Sequence, residues 1–513
     1  MSIFRSFSKY RNPDIKKLKT SFIILFLIIL TGLIFLNVNN LNRNKQDLRS
    51  KAAESQNSFE PISGTFVDFN YIVDTTKNRP TVSEWDSLFQ EMKNTGIDTV
   101  IVMATGFVGK TANGRWYEWD YFDNGLKYQD STTVMERFLN AAFTENINLY
   151  IGLAGNDLVK APIEEGSKLD INSSRGRIIY RSLQNIKKVK DLCTKYSCDW
   201  NLIKGFYIPQ EKELRVFLPP WNATASFFTD ISSEVKKSYP DKKIIISPYQ
   251  SNGFTFNKLY QSVYSLVQNT NIDIISPQDS VGSGIIKIFA TSKINFKALS
   301  SAIKDANKKF NKTVEAWANI ETFNPDQTVS NSANGLYSPP DIYRVTWQIR
   351  AVDEYVSKQI TWIYTWSLAT SPFLNDLNIP QYSSTFARQR TLFRSQYLSK
   401  PIITAVFPWY ENGNHNIVIK GYNFGYLNQN VKVYLHYISS KGNFATYSGS
   451  FPVSQIVSRK SAIFIPVSLI PEFDLSKPYD LAIMNSFNSV GFDSNNPNNV
   501  THDIYYAFPE IKK

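Results

Sequence analysis

Eight short, almost continuous apolar runs alternate with amphipathic stretches over residues 62–400. The runs cover residues 64–70, 99–107, 148–154, 205–211, 243–249, 272–279, 313–321 and 359–367. Apolar strands that alternate with helices are typical of a parallel sheet covered on both faces, and eight repeats predict a closed (β/α)8 TIM barrel. An open doubly wound sheet is the alternative. It is disfavoured because no glycine-rich phosphate turn follows the first run.

Two of the intervening stretches show the helical period clearly. The first begins with a capping box at Thr81 and Glu84 and ends at Gly96. It places four apolar residues on one face, namely Trp85, Leu88, Phe89 and Met92. The second, residues 341–357, repeats apolar residues at the same spacing, so both stretches are predicted to be helices that pack on the barrel.

A different pattern begins at Pro401. Five short apolar runs, 401–408, 416–425, 431–437, 460–467 and 479–484, are separated by Gly, Asn and Pro, and helical periodicity is absent. Residues 401–513 are therefore predicted to form an Ig-like antiparallel β-sandwich.

The N-terminal residues suggest a membrane segment. Residues 21–38 are uncharged and almost entirely apolar, and they follow a tail, residues 1–20, with six Lys or Arg and one Asp. This pattern predicts a cytoplasmic tail, a transmembrane anchor at 21–38 and a linker at 39–61, with the rest of the chain extracytoplasmic. The predicted localisation is that of a single-pass membrane protein. The alternative is a cleaved signal peptide and a secreted protein.

Net charge does not indicate nucleic-acid binding. The formal charge is +12, but residues 1–20 contribute +5 and residues 41–51 contribute +3. The remainder of the chain therefore carries about +4 without a basic stripe, which disfavours a nucleic-acid partner.

The distribution of histidine and cysteine excludes several chemistries. All three histidines, His415, His436 and His502, fall in the predicted sandwich. The predicted barrel therefore has none, which excludes Ser-His-Asp hydrolysis and His-zinc chemistry there. No P-loop or dinucleotide motif is present, so no cofactor is expected. Cys193 and Cys198 could form a local disulfide or remain two reduced thiols.

Acid–base chemistry must then come from carboxylates at the ends of the strands. Glu211 follows the fourth run, in GFYIPQE, and Glu321 ends the seventh, in WANIE. Retaining glycosidases use two carboxyl groups about 5–5.5 Å apart, one as acid/base and one as nucleophile. We assign Glu211 as acid/base and Glu321 as nucleophile, and we expect repulsion between them to raise one pKa.

Other polar and aromatic residues at the same strand ends are predicted to bind substrate. These are Asp68, Asn70, Gln210, Tyr249, Gln278, Asp279, Asn319 and Trp366. Two of them have alternatives. Asp279 competes as a catalytic carboxylate, since an inverting pair tolerates a wider separation, and Trp366 could instead pack at the top of the barrel. The loop aromatics Trp116, Tyr117, Trp119 and Trp221 add stacking surfaces.

The segments GTFVDFNY, GIDTVIVMATGF, GFYIPQE, IISPYQSNGF, IISPQDSVG and WANIETF resemble a bacterial family of glycosidase-like barrels of unknown function. That family is similar to the large clan of retaining TIM-barrel glycoside hydrolases. The resemblance implies a barrel with glycosidase activity, with Glu211 and Glu321 at the matching catalytic positions. Gln210 stands where the clan usually has Asn, and this barrel lacks the histidine common near the clan's site. Separately, PIITAVFP and VIKGYNFG resemble the Ig-like IPT/TIG domain.

The sequence therefore predicts a membrane-anchored, extracytoplasmic retaining glycoside hydrolase that acts on a polysaccharide or surface glycan. The alternative is a catalytically inactive glycan-binding or cell-envelope adhesion protein that keeps the barrel as a scaffold.

Overall fold

The computed structural model describes residues 61–72, 80–111, 113–122, 132–156, 168, 170–250, 253–287, 289–325, 337–377, 383–411, 414–425, 428–457, 460–485 and 489–494. Eight parallel strands close into a barrel, as the alternation of apolar runs predicts. They are β1 (Ile62–Val67), β2 (Thr99–Val102), β3 (Asn148–Gly152), β4 (Ile203–Ile208), β5 (Lys243–Ile246), β6 (Ile274–Ile275), β7 (Glu315–Glu321) and β8 (Lys358–Trp362). The last strand pairs with the first, so the sheet has no free edge.

In the described part of the chain, eight longer helices accompany these strands. They are α1 (Val82–Asn94), α2 (Val134–Thr144), α3 (Ser174–Lys195), α4 (Ala223–Ser238), α5 (Phe256–Asn269), α6 (Phe289–Phe310), α7 (Ile342–Val352) and α8 (Ser384–Ser399). Short helices also cover Phe69–Ile72 and Tyr364–Ser367, and 3-10 turns cover Trp200–Leu202, Leu214–Phe217 and Pro372–Asp376. The capping box of α1 forms as predicted, and its four apolar residues are fully buried. Helix α7 ends at Val352 and is therefore shorter than the predicted stretch 341–357.

Aromatic rings fill the barrel interior. Phe66 lies 5.1 Å from the rings of both Tyr207 and Trp362, measured between ring centroids. At the amino-terminal end of the strands, Lys243 pairs with Glu315. The interior is therefore a packed core, and in TIM barrels functional sites lie at the carboxyl ends of the strands.

Two small sheets lie outside the barrel ring. The strands Trp116–Asp120, Gly106–Lys110 and Ala154–Asn156 form a three-stranded sheet in that order, and they follow β2 and β3 in the chain. Asn324–Pro325 pairs with Tyr337–Ser338 after β7. Both sheets extend from the carboxyl ends of barrel strands, which is where TIM barrels carry their functional sites.

The described residues between 402 and 494 form two four-stranded antiparallel sheets packed around one core. The strands are β9 (Ile402–Glu411), β10 (Asn414–Tyr422), β11 (Asn430–Ile438), β12 (Phe444–Pro452), β13 (Ser454–Val457), β14 (Lys460–Pro466), β15 (Tyr479–Met484) and β16 (Val490–Ser494). A 3-10 turn covers Val467–Leu469. This is the predicted sandwich. Its Ig-like topology, its likeness to IPT/TIG domains and the predicted domain boundaries stay predictions.

The barrel and the sandwich belong to one compact unit, Ser58–Lys513. The hydroxyl of Tyr422, at the end of β10, donates to Oδ1 of Asp353 after α7, over 2.7 Å. Asn423 Nδ2 donates to the carbonyl of Tyr397 in α8 over 2.8 Å. Buried polar contacts of this kind fix the orientation of two packed units.

The predicted localisation requires a correction. Within the described residues, no helix combines the length and apolar character that crossing a bilayer requires. The prediction of a single-pass membrane protein with an extracytoplasmic catalytic domain is corrected on this finding. Residues 21–38, on which that prediction was based, lie outside the described residues.

Tyr422→Phe tests the contact between barrel and sandwich. Removing the hydroxyl leaves the buried carboxyl of Asp353 without one of its donors, so we expect the free energy of unfolding to fall by about 1–3 kcal/mol. Chemical denaturation measures the change. Tyr410→Phe is the matched control, because Tyr410 is 67% exposed, and it should have almost no effect. Equal free energies of unfolding for the two variants would show that the hydrogen bond from Tyr422 to Asp353 does not stabilise the chain.

Candidate active site

The two predicted catalytic residues lie at the carboxyl ends of their strands. Glu211 comes three residues after the end of β4, and Glu321 is the last residue of β7. In the closed ring, β5 and β6 separate these strands. Both carboxyl groups therefore belong to the mouth of the barrel, defined here as the carboxyl ends of strands β1–β8.

Glu211 interacts with neutral groups. The Tyr207 hydroxyl donates to Glu211 Oε1 over 3.2 Å, and the Gln278 side chain also forms a hydrogen bond with this carboxyl. The residue is half-buried, but protein surrounds the carboxyl closely. This desolvation raises the pKa of Glu211 to about 7. The charge of Asp68 raises the pKa further, whereas the two hydrogen bonds lower it. A large fraction of Glu211 is therefore protonated at neutral pH.

Glu321 and Asp279 form a buried pair of carboxyl groups. Glu321 is 3% exposed and Asp279 is 1% exposed. Burial, and then the neighbouring charge of Asp279, raise the pKa of Glu321 to about 8. Burial also raises the pKa of Asp279. Arg344, from α7, opposes both shifts through its positive charge. The repelling partner of Glu321 is thus Asp279, whereas the sequence led us to expect Glu211.

Asp279 is the better stabilised anion of this pair. Its Oδ2 accepts from Gln348 Nε2 over 2.6 Å, and its Oδ1 accepts from the backbone N–H groups of Val281 and Glu321, each over 3.2 Å. Hydrogen bonds to an ionised carboxylate favour that form. We therefore place the proton that the pair retains on Glu321.

The turn after Asp279 holds Glu321 from one side. The backbone N–H of Ser283 donates to Glu321 Oε2 over 2.6 Å. A Cβ atom at Gly282 would lie 2.6 Å from the Cβ of Glu321, so only glycine permits this approach. Ser280 has a φ of 57°, an uncommon value for a residue other than glycine, and turns the chain directly after Asp279.

Asp68 and Asn70 lie at the end of β1. Asp68 is 8% exposed, and burial raises its pKa to about 6, against hydrogen bonding from Asn70. Asn70 is exposed, and its Oδ1 accepts from the Tyr121 hydroxyl over 2.8 Å. Asp68 also raises the pKa of Glu211, which shows that the ends of β1 and β4 share one electrostatic environment.

Three residues predicted to bind substrate are buried, and their role in binding stays a prediction. Trp366 is 1% exposed and packs against Tyr71, Phe323 and Trp362. Asn319 is fully buried, and its Nδ2 donates to Ser247 Oγ over 2.9 Å. Gln210 is 4% exposed and donates to the carbonyl of Ala154 over 3.1 Å. Trp366 therefore packs at the top of the barrel. The Gln210 amide connects the ends of the neighbouring strands β4 and β3, and the Asn319 amide reaches from β7 past β6 to the end of β5.

Gln278 and Tyr249 remain accessible in part. Gln278 hydrogen bonds with Glu211, and its Nε2 lies 3.4 Å from the carbonyl of Ser247. Tyr249 is 36% exposed, and its backbone pairs with the segment that follows Glu211, through Lys212 and Leu214. Tyr249 follows β5, the neighbour of β4, and Gln278 follows β6, the next strand of the ring.

Three further residues of the site, Arg344, Gln348 and Ser283, are not among those predicted from the sequence. Arg344 and Gln348 are four residues apart in α7, so they lie on the same side of the helix. Gln348 is fully buried beside Val345 and Ile349. The sequence signal for Gln348 was its polar side chain within the apolar face of a helix, which indicates a buried hydrogen-bonding role. Ser283 acts through its backbone, which no side-chain pattern reveals.

The two cysteines are joined by a disulfide between the last turn of α3 and the segment before β4. Among the described residues, no group of three or more His, Cys, Asp or Glu side chains could hold a metal ion.

Fold and site together define a TIM-like barrel with four buried or half-buried carboxyl groups at its mouth. The chain belongs to the family described as domain of unknown function DUF4434, whose profile matches residues 62–374. No curated protein matches the chain significantly.

Several solved structures are similar. A candidate alpha-L-fucosidase from Bacteroides thetaiotaomicron VPI-5482 is 19% identical, covering 66% of this chain and 94% of that chain with a TM-score of 0.43. An alpha-L-arabinofuranosidase from Thermotoga maritima, in complex with arabinose, is 11% identical over 80% of this chain and 98% of that chain, with a TM-score of 0.35. A GH18 chitinase from Pseudoalteromonas aurantia is 10% identical over 59% and 93%, with a TM-score of 0.33. The activities named are those of these proteins.

Glu321→Gln tests the buried carboxyl pair through stability. Because the pKa of Glu321 in the folded chain, about 8, lies above its usual 4.5, the folded state binds more protons between these values. The free energy of unfolding therefore falls as pH rises through this range. Glutamine removes this dependence, so we expect the variant to be more stable than the parent at pH 9, by about 1–3 kcal/mol, and similar at pH 5.

Glu315→Gln is the matched control on the same strand. Burial tends to raise the pKa of Glu315, but hydrogen bonds from Lys243 and Trp317 outweigh it and lower the pKa. This variant should therefore be less stable than the parent at neutral pH. Chemical denaturation at pH 5 and pH 9 measures the effects. If Glu321→Gln stabilised the chain at pH 5 but not at pH 9, the raised pKa of Glu321 would be contradicted.

Proposed function

We propose that this protein is a retaining glycoside hydrolase, with Glu211 as acid/base and Glu321 as nucleophile. The observation that carries the proposal is the state of Glu211. It is a carboxyl group at the mouth of a closed barrel, with a pKa of about 7 and with neutral hydrogen-bond partners, Tyr207 and Gln278. A carboxylic acid that keeps its proton near neutral pH is suited to protonate a departing glycosidic oxygen.

Glu321 supplies the second carboxyl group of the mechanism. In the first step its carboxylate attacks the anomeric carbon while Glu211 gives its proton to the leaving oxygen. In the second step, Glu211 as a base takes a proton from water, which displaces Glu321 and releases the sugar. The Ser283 N–H, donating to Oε2, holds the Glu321 carboxyl in one orientation throughout.

The nucleophile must be ionised, although burial and Asp279 favour its protonated form. The reactive state of the free chain is therefore a minority state, with Glu211 protonated and Glu321 ionised. Arg344 lowers the energetic cost of this state, because its charge acts on both Glu321 and Asp279. The positive charge that develops on the sugar ring during cleavage favours the Glu321 carboxylate further.

Asp279 is a weaker candidate for direct catalysis. Both its oxygens already accept hydrogen bonds from within the chain, and the residue is 1% exposed. The inverting alternative, with Asp279 as base, would need an oxygen free to activate water. We therefore give Asp279 a positioning and electrostatic role.

A glycan-binding protein without catalysis remains the second candidate. It is favoured by the raised pKa of Glu321, which leaves the proposed nucleophile largely protonated at neutral pH. Such a protein would bind glycans without turnover, and both candidates have a carbohydrate as partner.

Variants of the two glutamates test the catalytic roles. Glu211→Ala should lose about 10²–10⁴-fold in kcat on unactivated glycans, since no proton reaches the leaving group. It should retain far more activity on aryl glycosides whose leaving group needs no proton, whereas Glu321→Ala should lose both activities. Glu213→Gln, two residues from Glu211 and paired with Arg215, is the control and should remain active. Equal loss by both variants on both substrate types would contradict the assignment.

The pH profile of kcat/KM tests the two roles separately. Because the pKa of Glu321 lies above that of Glu211, the rising limb follows the pKa of Glu211 and the falling limb follows that of Glu321. Asp279→Asn removes a charge that raises the pKa of Glu321, so the falling limb should move to lower pH and the maximum of kcat/KM should increase, because more of the chain has Glu321 ionised. Asp68→Asn removes a charge that raises the pKa of Glu211, so the rising limb should move to lower pH and the maximum should decrease. The opposite changes in the maximum would reverse the roles of the two glutamates.

A further inference from the structure

The three-stranded sheet outside the barrel ring has two chemically different faces. Side chains alternate between the faces of a strand, and paired residues share a face. Glu118 and Asp120 lie on the face toward α3, where Glu118 Oε1 accepts from Arg177 Nη1 over 2.7 Å and Asp120 Oδ2 accepts from Lys188 Nζ over 3.1 Å. Trp116 shares this face, with Lys110 Nζ 4.4 Å from its ring centroid.

The opposite face is aromatic. It carries Phe107, Tyr117 and Trp119, which are half-buried, and we call these three residues the aromatic face. The rings of Phe107 and Trp119 lie 4.9 Å apart at an interplanar angle of 32°. Glycine occupies the neighbouring positions, Gly109 opposite Tyr117 and Gly155 opposite Phe107. A Cβ at Gly155 would lie 3.1 Å from the Phe107 ring. Glycine therefore places no side chain against this ring.

This face borders the candidate catalytic site. A Cβ at Gly155 would lie 3.7 Å from Cγ of Pro209, two residues before Glu211. The next residue, Gln210, donates to the carbonyl of Ala154. On the other side, the Trp119 ring lies 5.0 Å from that of Tyr121, whose hydroxyl donates to the exposed Asn70. The aromatic face is therefore connected to the ends of both β4 and β1.

We propose that the aromatic face is a subsite that holds a neutral pyranose ring of a glycan, next to the glycosidic bond whose oxygen Glu211 protonates. This subsite rests on the proposed function. The C–H groups of a pyranose pack against aromatic rings, and the amide of Asn70 lies at the border of the face to hydrogen bond with sugar hydroxyls. Rings held by neighbouring rings lose little conformational entropy when a sugar binds.

The charges of the site select a neutral sugar. Asp68, Glu211, Asp279 and Glu321 lie at the strand ends, and Arg344 is the cation that acts on this group. The cations of α3, Arg177 and Lys188, contact the opposite face of the sheet and pair with its carboxylates. A uronic acid on the aromatic face would therefore meet mainly negative charge.

Binding to defined oligosaccharides tests the subsite. The Glu211→Gln variant is titrated with the hexaoses of cellulose, xylan, mannan and chitin, and with hexagalacturonate, by calorimetry and tryptophan fluorescence. We expect at least one neutral hexaose to bind, and binding to be about tenfold weaker or worse after Trp119→Ala is added. Trp119→Phe, which keeps a ring, should retain most of the affinity. Trp116→Ala, on the opposite face, should change it less than about threefold.

Several results would overturn the subsite. These are binding unchanged by Trp119→Ala in a variant with native circular dichroism, equal loss from Trp116→Ala, preference for hexagalacturonate, or no neutral hexaose bound at millimolar concentration. Hydrolysis by the parent chain separates this inference from the proposed function. Binding that depends on Trp119 without hydrolysis refutes the function and keeps the subsite, whereas hydrolysis with binding independent of Trp119 refutes the subsite alone.

Discussion

The buried contact between Asp279 and Glu321 is the constraint on which the rest of the site depends. The register of β6 and β7 imposes it, because Asp279 N donates to the carbonyl of Asn319 and Glu321 N donates back to Asp279 Oδ1. Two carboxyl groups held this closely, away from water, cannot both ionise without a large electrostatic cost. The pair therefore retains a proton near neutral pH, and its environment decides which member carries it.

The surrounding chain favours the ionised form of Asp279 over that of Glu321. Gln348, a buried residue of α7, gives Asp279 a side-chain donor, and the turn after Asp279 gives a backbone donor. Glu321 accepts from the Ser283 N–H, in a turn whose approach requires Gly282. These partners belong to two different parts of the sequence, helix α7 and the turn at residues 281–283. The closed barrel, without a free edge, holds them together and offsets the cost of burying the carboxyls.

The sequence predicts the barrel well and the site only in part. Continuous apolar runs and capping boxes depend on local chemistry, so the eight strands and helix α1 follow from the pattern. The sandwich strand β12 does not, because its side chains are largely exposed and its sequence, FATYSGSFP, has little apolar alternation. The carboxyl groups at strand ends are visible in the sequence, but their partners depend on register and on helix packing. Thus Trp366 and Asn319 end in the core, while Arg344 and Gln348 reach the site from a helix.

Strand β7 shows how far position alone decides the chemistry of a side chain. Glu315 and Glu321 occupy the two ends of one strand and share a face by the alternation of side chains. At the amino-terminal end Glu315 meets Lys243, and its pKa is lowered despite partial burial. At the carboxyl end Glu321 meets Asp279, and its pKa is raised. At the amino-terminal end, the Glu315 carboxyl is occupied by its ion pair with Lys243. The carboxyl end keeps protonatable acids at a mouth bordered by the aromatic face, which is the environment that acid–base chemistry on a sugar requires.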